Sequence, residues 1–108
     1  MSLTRPLEAA ITVLEQRAAD HGDYVMVHER IARLWSAYLG LDVRADQVAA
    51  MMALLKLARS EVSPENDDHV VDLAGYVAIY GALQKSEALR RPASTDEDET
   101  GSNTSEFF

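Results

Sequence analysis

The sequence predicts an all-α fold, a single small bundle of about four helices that is expected to oligomerise and to end in a disordered acidic tail. Apolar residues recur at helical intervals of three and four in four successive segments, and Gly, Pro, Asp and Asn fill the breaks between them. The roughly 90 residues before the tail are near the lower size limit for an unaided core. Because the chain has no cysteine, packing or association of subunits must supply its stability.

The first predicted helix runs from Thr4 to about Ala19. Thr4 is a suitable cap, and Pro6 is tolerated in the first turn of a helix. The residues expected to face the core share one helical stripe: Leu7, Ile11, Leu14 and Ala18. Residues 20–23, Asp-His-Gly-Asp, predict a turn after this helix.

The second predicted helix spans about Val25 to Leu39 and ends at Gly40, a common residue just past a helix. Its expected buried residues are Val27, Ile31, Leu34, Trp35 and Tyr38. The third predicted helix runs from about Ala45 to Ser60. Its central residues, 48–55, are apolar almost all round, which is typical of a bundle centre or a subunit interface.

Residues 63–66, Ser-Pro-Glu-Asn, predict a turn, after which Asp67 or Asp68 would cap a fourth helix that reaches about Leu89. Its expected interior residues are Val70, Leu73, Ala74, Val77 and Tyr80. Gly75 and Gly81 each cost about 1 kcal/mol relative to Ala within a helix. Two such glycines indicate close helix contacts, or a ligand that needs room.

The composition changes at Pro92, which divides the chain into a helical domain, residues 1–91, and a tail, residues 92–108. The tail consists mainly of small polar and acidic residues without apolar periodicity, so we expect it to be disordered. Two interpretations of the terminal Phe107 and Phe108 are open, a short docking motif or an unselected terminus.

The net charge of −8 is unevenly distributed, because all ten Lys and Arg and thirteen of the eighteen acids lie before Pro92. A nearly balanced body without a basic stripe argues against duplex nucleic acid as a partner. No apolar run approaches the ~20 residues that a membrane span needs, and the N-terminus does not resemble a signal peptide. We therefore expect a cytoplasmic protein.

Charged side chains converge at the turn between the third and fourth helices. Lys56 and Arg59 share a face of the third helix, and Asp68, Asp72 and Tyr76 share a face of the fourth. A short turn makes the two helices antiparallel neighbours, which brings these side chains toward the same end of the bundle.

Two interpretations of this cluster are open. It is either an ion-pair network that closes the helical hairpin or a ligand site. In the second case Asp68 and Asp72 would hold Mg²⁺, Lys56 and Arg59 would bind phosphate oxygens, and Tyr76 would support a base or ribose.

A zinc-protease motif is excluded for the second helix. His28 and Glu29 open such a motif, but Ala32 stands where the second histidine is needed.

Four stretches of the chain carry a family resemblance: Gly22-Asp23, then residues 31–40, 46–59 and 68–76. They resemble a phage-encoded family of small uncharacterised helical proteins. That family in turn is similar to the nucleotide-modification-associated domain and, more remotely, to MazG-like nucleotide pyrophosphohydrolases.

The resemblance implies a homo-oligomeric, nucleotide-binding helical protein whose expected activity is Mg²⁺-dependent cleavage of a nucleoside triphosphate. The implied nucleotide-binding residues are Asp23, Lys56, Arg59 and Tyr76, and the implied metal ligands are Asp68 and Asp72. The paired glutamates of MazG-like enzymes are absent, which leaves two alternatives open. One is a protein that sequesters a nucleotide, such as a host immune signal, without cleaving it, and the other is a helical interaction protein with no small-molecule ligand.

Overall fold

The structure of this chain is a computed structural model that describes residues 3–90. This part of the chain forms four α-helices and no strand: α1 (Arg5–His21), α2 (Tyr24–Leu39), α3 (Ala45–Val62) and α4 (Asp68–Arg90). The predicted all-α class and its four helical segments are confirmed, whereas the predicted tail lies outside the described residues. Within residues 3–90, no helix is both long and apolar enough to cross a membrane.

The hairpin of α3 and α4 is the centre of the fold. These two helices make the most extensive helix contact, while α1 packs on α4 and α2 packs on α3. The predicted turn between α3 and α4 is present, since the Asn66 amide donates to the Ser63 carbonyl at 3.0 Å. The Asp67 carbonyl accepts from the amides of Val70 and Val71, both at 3.1 Å, which starts α4.

Two glycines set the short connections around α2. Gly22 has φ +80° and Gly40 has φ +69°, in the range that side chains rarely adopt, so the chain can reverse there without strain. The Gly40 amide donates to the Ser36 carbonyl at 2.9 Å and closes the last turn of α2. At the other end, Asp23 Oδ1 accepts from the Val25 amide at 3.0 Å and caps the helix.

Polar side chains fix the corner between α2 and α3. The Ser36 hydroxyl accepts from the Val43 amide at 2.8 Å and donates to the Val43 carbonyl at 3.2 Å. The Arg44 guanidinium lies 3.1 Å from the carboxylate of buried Asp46, which raises the pKa of Arg44. The Arg44 amide donates to Gln47 Oε1 at 2.9 Å. Arg44 therefore stabilises the start of α3 through both its side chain and its backbone amide.

The buried core is made mostly of small side chains. Within the described residues, its apolar members are Ala10, Ala32, Val48, Ala49, Ala53 and Leu83. Small residues let the helices approach closely, but they bury little apolar surface. Several larger apolar side chains are left at the surface instead.

The prediction of which residues form the core is partly wrong. Leu7 and Ile11 of α1, Leu34 and Tyr38 of α2, and Val70 and Val77 of α4 are exposed, with Tyr38 89% accessible. Helical periodicity predicts which residues share a face, but not how much of that face a neighbour covers. Since α1 packs chiefly on α4, and α2 chiefly on α3, each outer helix buries only a narrow stripe.

Candidate functional site

A cleft of about 660 Å³ opens between α1, α2 and α4. Its volume lies in the range of small-molecule sites, and its walls are mostly apolar, as in such sites. The apolar walls are formed by Leu14, Ala18, Val27, Ala78, Ile79 and Ala82. The polar groups are fewer, and they come from Glu15, Arg17, Tyr24, His28 and Tyr76.

His28 is buried in the wall of the cleft, with 6% of its surface accessible. Its Nδ1 lies 2.8 Å from the carbonyl oxygen of Tyr24, one turn earlier in α2. Because a carbonyl oxygen only accepts, Nδ1 carries the hydrogen, and Nε2 of the neutral ring is a hydrogen-bond acceptor. The ring meets Tyr76 of α4 edge to face, with centroids 6.3 Å apart and an interplanar angle of 65°.

An ion-pair cluster borders the cleft where α1, α3 and α4 meet. Asp72 Oδ1 lies 3.3 Å from an Arg17 guanidinium nitrogen, and Asp72 Oδ2 lies 3.1 Å from Lys56 Nζ. The Lys56 and Asp72 side chains are 16% and 18% exposed, whereas Arg17 is 46% exposed and lines the cleft. One carboxylate thus positions two cations, so the cluster of Arg17, Lys56 and Asp72 has a charge of +1, which the Glu15 carboxylate in the cleft wall offsets.

The residues predicted from the sequence are spread over several places. Lys56 and Asp72 are joined in the ion-pair cluster, and Tyr76 stands in the cleft wall. Asp23 caps α2 between two residues that line the cleft, Gly22 and Tyr24.

The other two predicted residues lie near the turn before α4. Arg59 lines a second hollow of about 420 Å³ with Ser63 and His69. Asp68 is exposed in the first turn of α4, where its amide donates to Asn66 Oδ1 at 3.0 Å. Within residues 3–90, no ion pair joins either side chain to the Asp72 cluster.

Asp72, one of the two predicted metal ligands, is paired through both oxygens with cationic side chains, which would compete with a metal ion for this carboxylate. In the part of the chain that the structure describes, no three His, Cys, Asp or Glu side chains are grouped so as to hold a metal. The predicted pair Asp68 and Asp72 stays a prediction that only a metal titration can test.

Sequence reasoning did not identify His28 and Arg17 as site residues. The only local signal at His28 is the incomplete zinc motif, and its place in the cleft depends on a contact with Tyr76, which is distant in sequence. Arg17 has a local signal, because it follows Leu14 by three positions and so lies on the same side of α1. That signal becomes informative only when α4 is placed beside α1.

The cleft lies within the part of the chain that matches a known protein family. Residues 7–84, which include every residue that lines the cleft, match the family model of DUF6378, a domain of unknown function. The chain is also 46% identical over 78 residues to the gene 55 protein of Mycobacterium phage L5, a match that covers 71% of this chain. The chain spans about half the length of that relative, 50%. No solved structure matches. The chain therefore belongs to the DUF6378 family and has a phage-encoded relative.

Proposed function

We propose that the cleft between α1, α2 and α4 binds a nucleotide. The observation that carries the proposal is an apolar cleft in whose wall two aromatic rings contact each other and at whose edge a cation lies. Tyr76 and His28 supply the rings, and Arg17 supplies the charge. A nucleotide has the matching parts, a flat base and an anionic phosphate chain.

The apolar half of the cleft suits the base. Its aliphatic walls remove the base from water, and Tyr76 offers an aromatic surface of the kind on which bases stack. His28 Nε2 accepts a hydrogen bond from an N–H group of the base, because Nδ1 is committed to the Tyr24 carbonyl. These contacts distinguish a nucleotide from a simple phosphate.

The edge of the cleft suits the phosphates. Arg17 lines the cleft and is partly exposed, so its guanidinium can reach an anion while Asp72 holds its position. Lys56, which is paired with the other oxygen of Asp72, adds a second positive charge near the edge of the cleft. This geometry favours Arg17 over Arg59 as the phosphate ligand, because Arg59 lines the other hollow.

Cleavage of the bound nucleotide is a separate question. Cleavage by a MazG-like mechanism would require Mg²⁺. Asp72, one of the two predicted metal ligands, is already paired with two cationic side chains. That engagement favours the second candidate function, sequestration of an intact nucleotide. The phage relative supports a location inside an infected host, where such a nucleotide would be met.

Isothermal titration calorimetry of the full chain tests the binding proposal. The ligands are a nucleoside, its mono-, di- and triphosphates and a cyclic dinucleotide, each with Mg²⁺ and with EDTA. We expect Tyr76→Leu to weaken binding about tenfold, since loss of a stacked base costs about 1–3 kcal/mol. Tyr80→Leu is the matched control, because Tyr80 is a half-buried tyrosine of the same helix that does not line the cleft.

Failure of every nucleotide to bind contradicts the proposal. Chromatography of the titrated mixtures then separates the two candidate functions. Intact ligand in the presence of Mg²⁺ supports sequestration, whereas release of diphosphate supports the pyrophosphohydrolase.

A further inference from the structure

A largely apolar face of the α3–α4 hairpin points away from α1. Residues two positions apart on a helix point about 200° apart. On α4, Asp72 contacts Arg17, and Gly75 contacts Leu14, both on α1. Val70 and Val77 lie two positions from Asp72 and Gly75, so they point to the opposite side.

The same side of α3 is also apolar. Leu54 lies two positions before Lys56, which reaches across to Asp72. Ala50, Leu54 and Leu57 follow one another at intervals of four and three and therefore share a face. We call Ala50, Leu54, Leu57, Val70, Val77 and Gly81 the back face.

The large side chains of the back face are exposed to a degree unusual for apolar residues of a central hairpin. Leu54 is 64% accessible and Val77 is 53% accessible. With the adjoining Met51 and Leu55 of α3, the back face exposes roughly 500 Å² of apolar surface, which is comparable to the largest apolar patch of a typical domain, a patch that is often functional. The packing of residues 3–90 on one another does not account for that exposure.

Gly81 is an independent sign of an absent neighbour. A Cβ placed on Gly81 would meet nothing within 4 Å, whereas one on Gly75 would meet Leu14 at 3.7 Å. A glycine inside a helix costs about 1 kcal/mol relative to alanine. The contacts among residues 3–90 give no reason for glycine at position 81, but close approach of another helix does.

We propose that the back face binds the back face of a second copy of this chain, with the two hairpins antiparallel. Two patches of roughly 500 Å² would together bury about 1,000 Å², which is the size that a specific interface needs. A twofold axis lets both copies use the same surface, because each contact that one copy makes is repeated by the other. Gly81 lets the partner's helix approach closely.

The charges at the two ends of the hairpin select the antiparallel orientation. Glu61 lies near the turn end of α3, and Lys85 lies on α4 about 25 Å from the turn. Within residues 3–90, neither side chain has an ion-pair partner. In an antiparallel pair, each copy's turn end lies against the other's open end, so Glu61 approaches Lys85 of the partner subunit.

The mass of the full chain in sedimentation equilibrium tests this interface. We expect the wild type to be a dimer, twice 11.9 kDa, at micromolar concentration. Leu54→Glu should give monomers, because the dimer would bury its charge. Leu34→Glu is the matched control, since Leu34 is also 64% exposed but lies on α2, away from the back face, and this variant should remain a dimer.

Three further variants separate loss of the interface from loss of folding, which circular dichroism monitors. Gly81→Leu should weaken the dimer at least tenfold, and the charge reversal Glu61→Lys should weaken it less. Adding Lys85→Glu to Glu61→Lys should restore the wild-type dissociation constant. A monomeric wild type overturns the proposal, and so does equal dissociation by Leu34→Glu and Leu54→Glu. Neither result bears on the cleft, because the back face is on the other side of the hairpin.

Discussion

Lys56 of α3 and Asp72 of α4 form a largely shielded ion pair, with Nζ 3.1 Å from Oδ2. The other oxygen of the same carboxylate holds Arg17 of α1 at 3.3 Å. Asp72 therefore links three helices and also fixes a cation at the edge of the cleft. The two interpretations open at the level of sequence, a structural network and a ligand site, are compatible in this arrangement.

Replacing Asp72 should destabilise the fold. Asp72→Ala leaves Lys56 without its counter-ion where only 16% of the lysine side chain is exposed. We expect a loss of about 1–2 kcal/mol in the free energy of unfolding, below the value for a fully buried pair because solvent still screens this one. Urea denaturation followed by circular dichroism measures the loss. Glu65→Ala, in the exposed turn, is the control and should change it by less than about 0.5 kcal/mol. Equal stability of the two variants would contradict a structural role for Asp72.

Asp23 should act as a helix cap. Its carboxylate accepts from the Val25 amide at 3.0 Å, so Asp23→Ala should cost about 1 kcal/mol of stability. Asp23→Ser keeps a capping oxygen and should retain most of that stability. The same pair of variants tests the predicted nucleotide contact. If Asp23→Ser binds nucleotide as tightly as the wild type, the negative charge at this position is not needed in the site.

The sequence predicts the helices well because helix formation depends on local signals. Gly40 lies just past α2 in the left-handed conformation, and residues 63–66 form a turn, as their residue types indicate. The charge pair of Lys56 and Asp72 also follows from local signals, since a short turn and helical spacing are enough to bring the two residues together.

The sequence predicts less about burial and about the cleft, because both depend on how helices from distant segments pack. Leu34 and Ala32 are both apolar residues of α2, yet only Ala32 is buried. Nothing in the local pattern shows that α1 contributes Arg17 beside Tyr76 of α4. The contact of His28 with Tyr76 joins residues that are distant in sequence, and no periodicity predicts it.

Gly75 should tolerate a methyl group but not a large side chain. A Cβ at this position meets Leu14 at 3.7 Å, which is an ordinary van der Waals distance. Gly75→Ala should therefore leave the fold intact and stabilise α4 by up to about 1 kcal/mol through its higher helix propensity. Gly75→Leu should push α1 away from α4 and destabilise the protein by about 1–3 kcal/mol. Thermal unfolding of the two variants measures both effects. Destabilisation by Gly75→Ala would mean that α1 and α4 approach more closely than the structure shows.

Asp72 should also restrain the affinity of the cleft for anions. In the proposed complex, the nucleotide phosphates compete with Asp72 for Arg17, so Asp72→Asn frees the guanidinium and removes a nearby negative charge. We expect nucleoside triphosphates to bind about fivefold more tightly to this variant, a gain of roughly 1 kcal/mol that falls as salt is added. A nucleoside without phosphate should bind equally to both proteins, which serves as the control.

The same variant separates this role from metal binding. If Asp72 is instead a ligand of Mg²⁺, Asp72→Asn should weaken triphosphate binding in Mg²⁺ and have little effect in EDTA. Calorimetry in Mg²⁺ therefore gives changes of opposite sign for the two roles. Tighter binding in both buffers supports Asp72 as the competitor of the phosphates for Arg17, and weaker binding confined to Mg²⁺ contradicts it.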